Sequence, residues 1–359
     1  MRIVHIGKFY PPEWGGIESI THGLAVEHAA ASHDVTVVCF TRGGATVTVG
    51  NPEIIRIKAR YEKASQPLSF DYIRKAIAVA KKADIVHIHA PNLLAYLVAC
   101  AIPRKTKVVI QWHADIAGKG LLGKIVRPLE RYALSRADAV VSTTPVYADF
   151  SHQLRNYKDK LHMIPLGISS APPVSQEKSR AKYVLFVGRL VPYKGLPVLI
   201  EAIKNVKADA RFLIVGEGPE EARLKDMART LGVDQRIDFL GRTDQDTLAS
   251  LYANARVFCL PSVNRLEAFG VVLLEAMRAG VPLITTDIAG SGVSWVNQHD
   301  VSGKVVTVND PRALATAIDD MLAQDAQHIR LSQGAKARFD QEFTQTIMAQ
   351  RFAALYKAL

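Results

Sequence analysis

The chain has 359 residues, long enough for two domains, and a 48% hydrophobic, 22% charged composition typical of soluble globular proteins. The longest apolar run, residues 93–102, is too short to span a bilayer, and the first residues reach a lysine and prolines where a secretory leader would continue apolar. The net charge of +11 is uneven: residues 1–165 carry 22 Lys and Arg against 13 Asp and Glu, which implies two domains with different partners and leaves nucleic acid, an anionic membrane face and a phosphorylated ligand all open at this point.

Residues 2–7 read as a buried strand running into a loop that ends at Gly15 and Gly16, with a helix expected over 17–31 and a second strand at 35–40. Strand, glycine-bearing loop, helix and strand open a doubly wound α/β domain. The spacing is not GxGxxG, so a nicotinamide fingerprint is absent. Gly15 and Gly16 either let the backbone approach a ligand at a helix head or make a plain tight turn.

Further strands are expected at 54–58, 85–89, 107–111 and 139–142, with helices at 70–82 and 93–101. Polar residues collect at the strand ends. Ligands of such sheets bind outside the carboxyl ends of the strands, which makes His113 and Asp115 candidates for chemistry. His87 and His89 have the look of half a metal site. No cysteine, carboxylate or third histidine in the pattern completes it, so the pair reads as structural and no metal is expected. Cys39, Cys100 and Cys259 are isolated, as small buried hydrophobes of a reducing cytoplasm would be.

Residues 118–137 place Leu121, Leu122, Ile125, Val126, Leu129 and Tyr132 at helical spacing beside Lys124, Arg127 and Arg131, with Lys119 and Arg136 near. This is either a basic amphipathic helix on an anionic membrane or a core-packed helix with a solvated face. Residues 169–182, rich in Ser and Pro, read as a linker, and a second α/β pattern follows. Its strands are expected at 184–190, 211–215, 237–240, 255–262 and 281–287, with a helix at 197–206. Arg189 and Lys194 fall at the carboxyl end of its first strand, two cations suited to a diphosphate.

A helix over 270–279 puts Glu267 in the preceding loop and Glu275 near its middle, with the N–H groups of Phe269, Gly270 and Val271 at its head. A phosphate there, flanked by carboxylates able to accept from hydroxyls, suggests a sugar nucleotide. Two incidental glutamates on a solvated helix would give the same pattern. Asp244-Gln-Asp246 opens another helix and reads as its N-cap, not as a metal ligand pair. Residues 344–359 form a last amphipathic helix with no strand after it.

Gly15-Gly16, Val86-His-Ile-His89, Ile164-Pro-Leu-Gly167, Gly188-Arg189, Lys194-Gly195, Phe239-Leu-Gly241, Glu267 and Glu275 at E-x7-E spacing, and Gly280-Val-Pro282 occur in one order along nearly the whole chain. Together they closely resemble the retaining GT-B glycosyltransferases of family 4. The resemblance implies two Rossmann-like α/β domains facing each other across a deep cleft. An acceptor-binding domain would cover 1–168, a linker 169–182 and a nucleotide-sugar-binding domain 183–343, and the helix 344–359 would cross back to the first domain.

Carried over by position, Arg189 and Lys194 would bind the donor diphosphate and Glu275 the ribose hydroxyls. Glu267 would contact the transferred sugar, with Phe269, Gly270 and Val271 giving backbone N–H groups. Gly15 and Gly16 would lie against the diphosphate or sugar, backbone near Gly241-Arg242 against the base, and His113 on the sugar at the reaction centre. Residues 290–295, Gly-Ser-Gly-Val-Ser-Trp, depart from the family's commoner Gly-Gly-x-x-Glu run.

The expected activity is metal-independent transfer of a hexose from GDP-mannose or a UDP-hexose to a sugar hydroxyl. The acceptor is expected on a lipid-linked glycan of bacterial surface polysaccharide, at the cytoplasmic membrane's inner face. A soluble small acceptor is the alternative, and a non-catalytic nucleotide-sugar-binding protein the alternative of another class. Nucleic acid is not expected, because the basic residues are not interleaved with aromatics.

Overall fold

The structure, a computed structural model, describes residues 1–63, 66–115, 120–170 and 181–359. Most of the expected linker, 171–180, and Lys119 of the basic segment lie outside the described residues. The chain divides into two compact units, Met1–Ser169 with Thr344–Leu359, and Ser170–Phe343.

The first unit begins β1 (Arg2–Ile6), α1 (Gly16–Ala30), β2 (Asp34–Thr41), β3 (Thr46–Thr48) and β4 (Glu53–Lys58). A small antiparallel hairpin follows, β5 (Tyr61–Lys63) with β6 (Gln66–Leu68), and then α2 (Phe70–Ala80). It continues with β7 (Ile85–Ala90), α3 (Leu93–Ala101), β8 (Lys107–Trp112), α4 (Gly120–Arg136), β9 (Ala139–Ser142), α5 (Pro145–Phe150) and β10 (Leu161–Met163). The sheet order is β10-β9-β8-β7-β1-β2-β4-β3, with only β3 antiparallel to its neighbour. Runs such as Ile85-Val-His-Ile-His-Ala90 are buried throughout, as strands covered on both faces must be.

The second unit carries β11 (Ala181–Val187), α6 (Leu196–Asn205), β12 (Arg211–Val215), α7 (Glu221–Thr230), β13 (Ile237–Gly241), α8 (Gln245–Asn254), β14 (Ala255–Leu260) and α9 (Val271–Arg278). It ends with β15 (Leu283–Thr286), α10 (Val293–Val296), β16 (Gly303–Val306), α11 (Pro311–Ala323) and α12 (Asp325–Glu342). Its six parallel strands run β13-β12-β11-β14-β15-β16. In both sheets the order reverses once, between β1 and β7 and between β11 and β14, and the crevice outside the carboxyl ends at such a point is where doubly wound domains hold ligands.

Helix starts follow local chemistry. Asn92, Thr144, Asp244 and Asp310 each accept an N–H of the first turn, and Pro145 and Pro311 occupy positions where no N–H is needed. The last helix, α13 (Gln345–Ala358), belongs to the first unit and packs on α1. Phe352 is fully buried there, worth about 2–3 kcal/mol of apolar transfer, and Gln345 Nε2 donates to Glu27 Oε1 at 3.2 Å. Gly167 is obligatory at this crossing, because a Cβ would lie 2.3 Å from the Thr344 carbonyl oxygen.

Three expectations shift. The first strand of the second unit spans 181–187, not 184–190, and ends before Gly188. Gly270 stands outside α9 as a left-handed N-cap (φ 81°, ψ 65°), where a side chain would be strained. The basic segment contains Pro128 within α4, and Tyr132, expected on its apolar face, is 56% exposed beside exposed Arg127 and Arg131. The side chains of 121–125 lie outside the described residues.

Candidate functional site

In the second unit, parallel pairing of β11 with β14 brings two loops side by side at the point where the strand order reverses. The loop after β11 carries Arg189 and Lys194; that after β14 carries Ser262 and Glu267. Val263 N–H donates to the Tyr193 carbonyl at 2.8 Å and ties the loops together. Their approach requires Gly195, left-handed at φ 70°, since a Cβ there would meet the Pro261 carbonyl oxygen at 1.9 Å.

Lys194 is 7% exposed and Glu267 is 7% exposed, and Lys194 Nζ donates to Glu267 Oε2 at 2.5 Å. Ser262 Oγ, fully buried, donates to the same oxygen at 3.0 Å. Burial of an ion pair costs desolvation, and the hydroxyl offsets part of that by satisfying a further lone pair. Arg189 is exposed, and its guanidinium makes no ion pair among the described residues. One cation is therefore held by a carboxylate and the other is left facing solvent.

The main chain at Glu267 and Ala268 is held from behind. Ser291 Oγ donates to the Glu267 carbonyl, and Gly292 N–H donates to the Ala268 carbonyl at 2.8 Å. The stretch 290–295, which departs from the family pattern, thus supports the Glu267 loop through main-chain contacts. Periodicity gave no signal for Ser262 or Ser291, because both act through loop geometry that sequence spacing does not encode.

At the head of α9 no side chain caps the helix, and the N–H groups of Phe269, Gly270 and Val271 have no partner among the described residues. Glu275, about one turn along, keeps part of its side chain accessible while its carboxyl lies among protein atoms. Burial pushes that carboxyl above the usual carboxylate range, opposed by the Tyr252 hydroxyl and Arg278. Arg242 is exposed just after β13, and Asp244 caps α8 by accepting Thr247 N–H at 2.8 Å. Arg189, Lys194 and the free N–H groups thus stand in neighbouring loops beyond the carboxyl ends of β11 and β14.

In the first unit, Gly15 is the extended N-cap of α1 and Gly16 its first residue, one position earlier than the expected helix. The Glu18 carboxylate folds back over this end, so that a Cβ on Gly15 would meet Glu18 Oε2 at 2.4 Å. Burial raises the Glu18 carboxyl. Asp115, a candidate for chemistry, is committed elsewhere: it accepts Trp112 Nε1–H at 2.9 Å and Ser151 Oγ–H at 2.7 Å.

His113 is 6% exposed past the end of β8, with its pKa lowered to about 3 by burial. The third histidine missing from the sequence pattern is present in space. Parallel register sets His5 of β1 beside His87 of β7, and ligand atoms of His5, His87 and His89 lie within 4.8 Å of one another. The expectation that nothing completes the pair fails because strand register, not sequence spacing, brings His5 in.

The sequence pattern described as "Glycosyl transferases group 1" matches residues 169–338, and that of the "Glycosyl transferase 4-like domain" matches 15–167. O-antigen chain mannosyltransferase C of Escherichia coli is 30% identical over all of this chain and 99% of its own. D-rhamnosyltransferase WbpZ of Pseudomonas aeruginosa is 31% identical over 96% of this chain and 92% of its own. Among solved structures, sucrose-phosphate synthase of Thermosynechococcus elongatus superposes with a TM-score of 0.81 at 22% identity, covering 99% of this chain and 98% of that one. Anabaena Alr3699/HepE in complex with UDP-glucose gives 0.76 at 19% identity over both whole chains. With its two doubly wound sheets and these full-length likenesses, the chain belongs to the group 1 glycosyltransferases of GT-B fold.

Proposed function

We propose that the protein is a retaining, metal-independent hexosyltransferase that uses GDP-mannose or a UDP-hexose to extend a lipid-linked glycan in bacterial surface polysaccharide assembly. The observation that carries the donor reading is that Arg189, Lys194 and the unpartnered N–H groups of Phe269, Gly270 and Val271 stand in the two neighbouring loops after β11 and β14, beyond the carboxyl ends of these strands. Cleavage of a glycosyl–phosphate bond places negative charge on the leaving diphosphate, and fixed donors at that position stabilise it by several kcal/mol. In this reading Glu267 orients Lys194 and touches the sugar, Glu275 accepts from the ribose, and backbone near Arg242 meets the base. Gly15 and Gly16 lie against the donor and His113 against the sugar.

Retention follows if the acceptor oxygen attacks the anomeric carbon on the face the diphosphate leaves. The carbon–oxygen bond to phosphate breaks, the new glycosidic bond forms, and the acceptor's proton passes to a donor phosphate oxygen. No protein base is then needed. Cations and helix N–H groups supply the charge stabilisation, and the Asp244 carboxylate is occupied as a helix cap.

A mannose-type donor and an O-antigen-like acceptor are supported by the names of the two relatives at 30% and 31% identity. Contact with an anionic membrane at its inner face is supported by the basic first half. There Lys58, Arg60, Arg74 and Lys75 line an open groove of about 800 Å³ with exposed Tyr61, and Phe70 is 77% exposed next to it. No helix among the described residues is long and apolar enough to cross a membrane.

Calorimetric titration with GDP and with UDP, without added metal, tests the donor assignment. Preference for GDP is the expected result, and binding of neither by folded protein would remove the donor site and favour a different ligand.

A further inference from the structure

Five buried histidines lie on one face of the first unit's sheet, where strand alternation and register put His87 and His89 beside His5 on one side and Gln111 on the other. Four of them join end to end. His28 Nδ1 lies 3.3 Å from His5 Nε2, His5 Nδ1 3.2 Å from His89 Nε2, and His89 Nδ1 3.2 Å from His113 Nε2. His87 stands aside, with Nδ1 2.5 Å from the Tyr356 hydroxyl and Nε2 3.2 Å from Gln111 Oε1.

A metal centre is the obvious use of such a cluster, and the ring geometry argues against it. His87 stacks on His89 with centroids 4.5 Å apart and planes 10° from parallel. Imidazole lone pairs lie in the ring plane, so those of stacked rings run side by side and do not converge on one ion. The nitrogens of His5 and His89 are, moreover, each matched to another histidine.

A neutral imidazole has one donor and one acceptor nitrogen. In a chain of such rings each link needs one of each, so all four must adopt the same tautomer. The links fix a shared tautomer at every ring, because reversing one ring would set two N–H groups or two lone pairs against each other. At the two ends, His28 Nε2 is buried with no hydrogen-bond partner and His113 Nδ1 has none among the described residues.

We propose that His28, His5 and His89 are positioning residues that fix His113 in one neutral tautomer, so that its Nδ1 meets a substrate hydroxyl in a single hydrogen-bonding role. The substrate half of this rests on the reading of His113 as a sugar contact; the tautomer half does not. Burial, by lowering all four pKa values, keeps the rings neutral at pH 7.

The test is long-range ¹H–¹⁵N correlation of histidine side chains in the full chain at pH 7. Four neutral rings that share one tautomer are expected. A tautomer at His113 unlike that of the other three, a mixture of the two at His113, or a protonated ring would overturn the proposal, and this holds even where a variant fails to fold. In His5→Phe, which cuts the chain, His113 should move toward averaged tautomer shifts. In His28→Asn, whose amide can accept or donate in place of Nδ1, it should stay ordered.

Stoichiometric zinc binding with loss of the His5 and His89 signals would also refute the chain, in favour of a metal centre. If the tautomers are ordered but GDP-mannose leaves His113 Nδ1 unmoved, the chain stands and the sugar contact fails.

Discussion

Acidification from pH 7 to pH 5 should destabilise the first unit far more than the second. His5, His28, His87, His89 and His113 are all buried, with pKa values lowered from 6.5, to about 4 for His28 and about 3 for His113. Desolvation of the charged ring is the main cause in each. The unfolded chain takes protons as pH drops through 6.5 while the folded rings stay neutral, so their stability is complete above that value and is lost on the way down. One ring held neutral at pH 5 costs about 2 kcal/mol relative to pH 7.

Five rings set an upper bound of roughly 10 kcal/mol, reduced wherever a ring takes a proton by local opening. Glu130 works the other way. Its carboxyl is pushed up to about 7 by burial and by Asp115, so it gains at most about 2 kcal/mol over the same range. A net loss of several kcal/mol remains, about half of a domain's usual stability of roughly 5–15 kcal/mol.

Hydrogen exchange in graded denaturant, read on peptides from β1 and β7, measures it. Peptides from β11 and β14, which contain no histidine, serve as the internal control. Equal loss in both units, or none in the first, would refute neutral burial of these rings.

Lys194→Ala should cost the second unit about 3–5 kcal/mol by leaving Glu267 buried without its cation, and Lys194 and Glu267 replaced together by Met should cost less, by denaturant titration. Arg189→Ala should leave stability within about 0.5 kcal/mol, because that guanidinium pairs with nothing in the described residues. It should still weaken nucleoside diphosphate binding about tenfold or more by calorimetry. Gly270→Ala should destabilise by about 1–2 kcal/mol, since its φ is 81° and a Cβ would lie 2.9 Å from Leu273 Cδ1; an unchanged melting temperature would contradict that conformation.

The sequence by itself determined the two α/β units, most strand positions and the cationic residues beyond the first strand of the second. Each depends on runs of apolar residues broken by glycine and proline, a local signal that burial on both sheet faces makes strong. It also marked Glu267 and Glu275 by spacing, and Asp244 as a cap. Pro128 and the left-handed Gly270 show where that reading thins out, since helix ends respond to φ and to neighbours as well as to period.

Only the tertiary structure decided which residues hold those groups in place. Ser262 and Ser291 reach Glu267 across 5 and 24 residues because β14, β15 and their loops are adjacent in the sheet. His5 meets His89 across 84 positions of chain and His28 across 23, because parallel register and the packing of α1 set them on one face. Side-chain partnership between distant segments is fixed by strand order and register, and neither is written in the spacing of residues along any one segment.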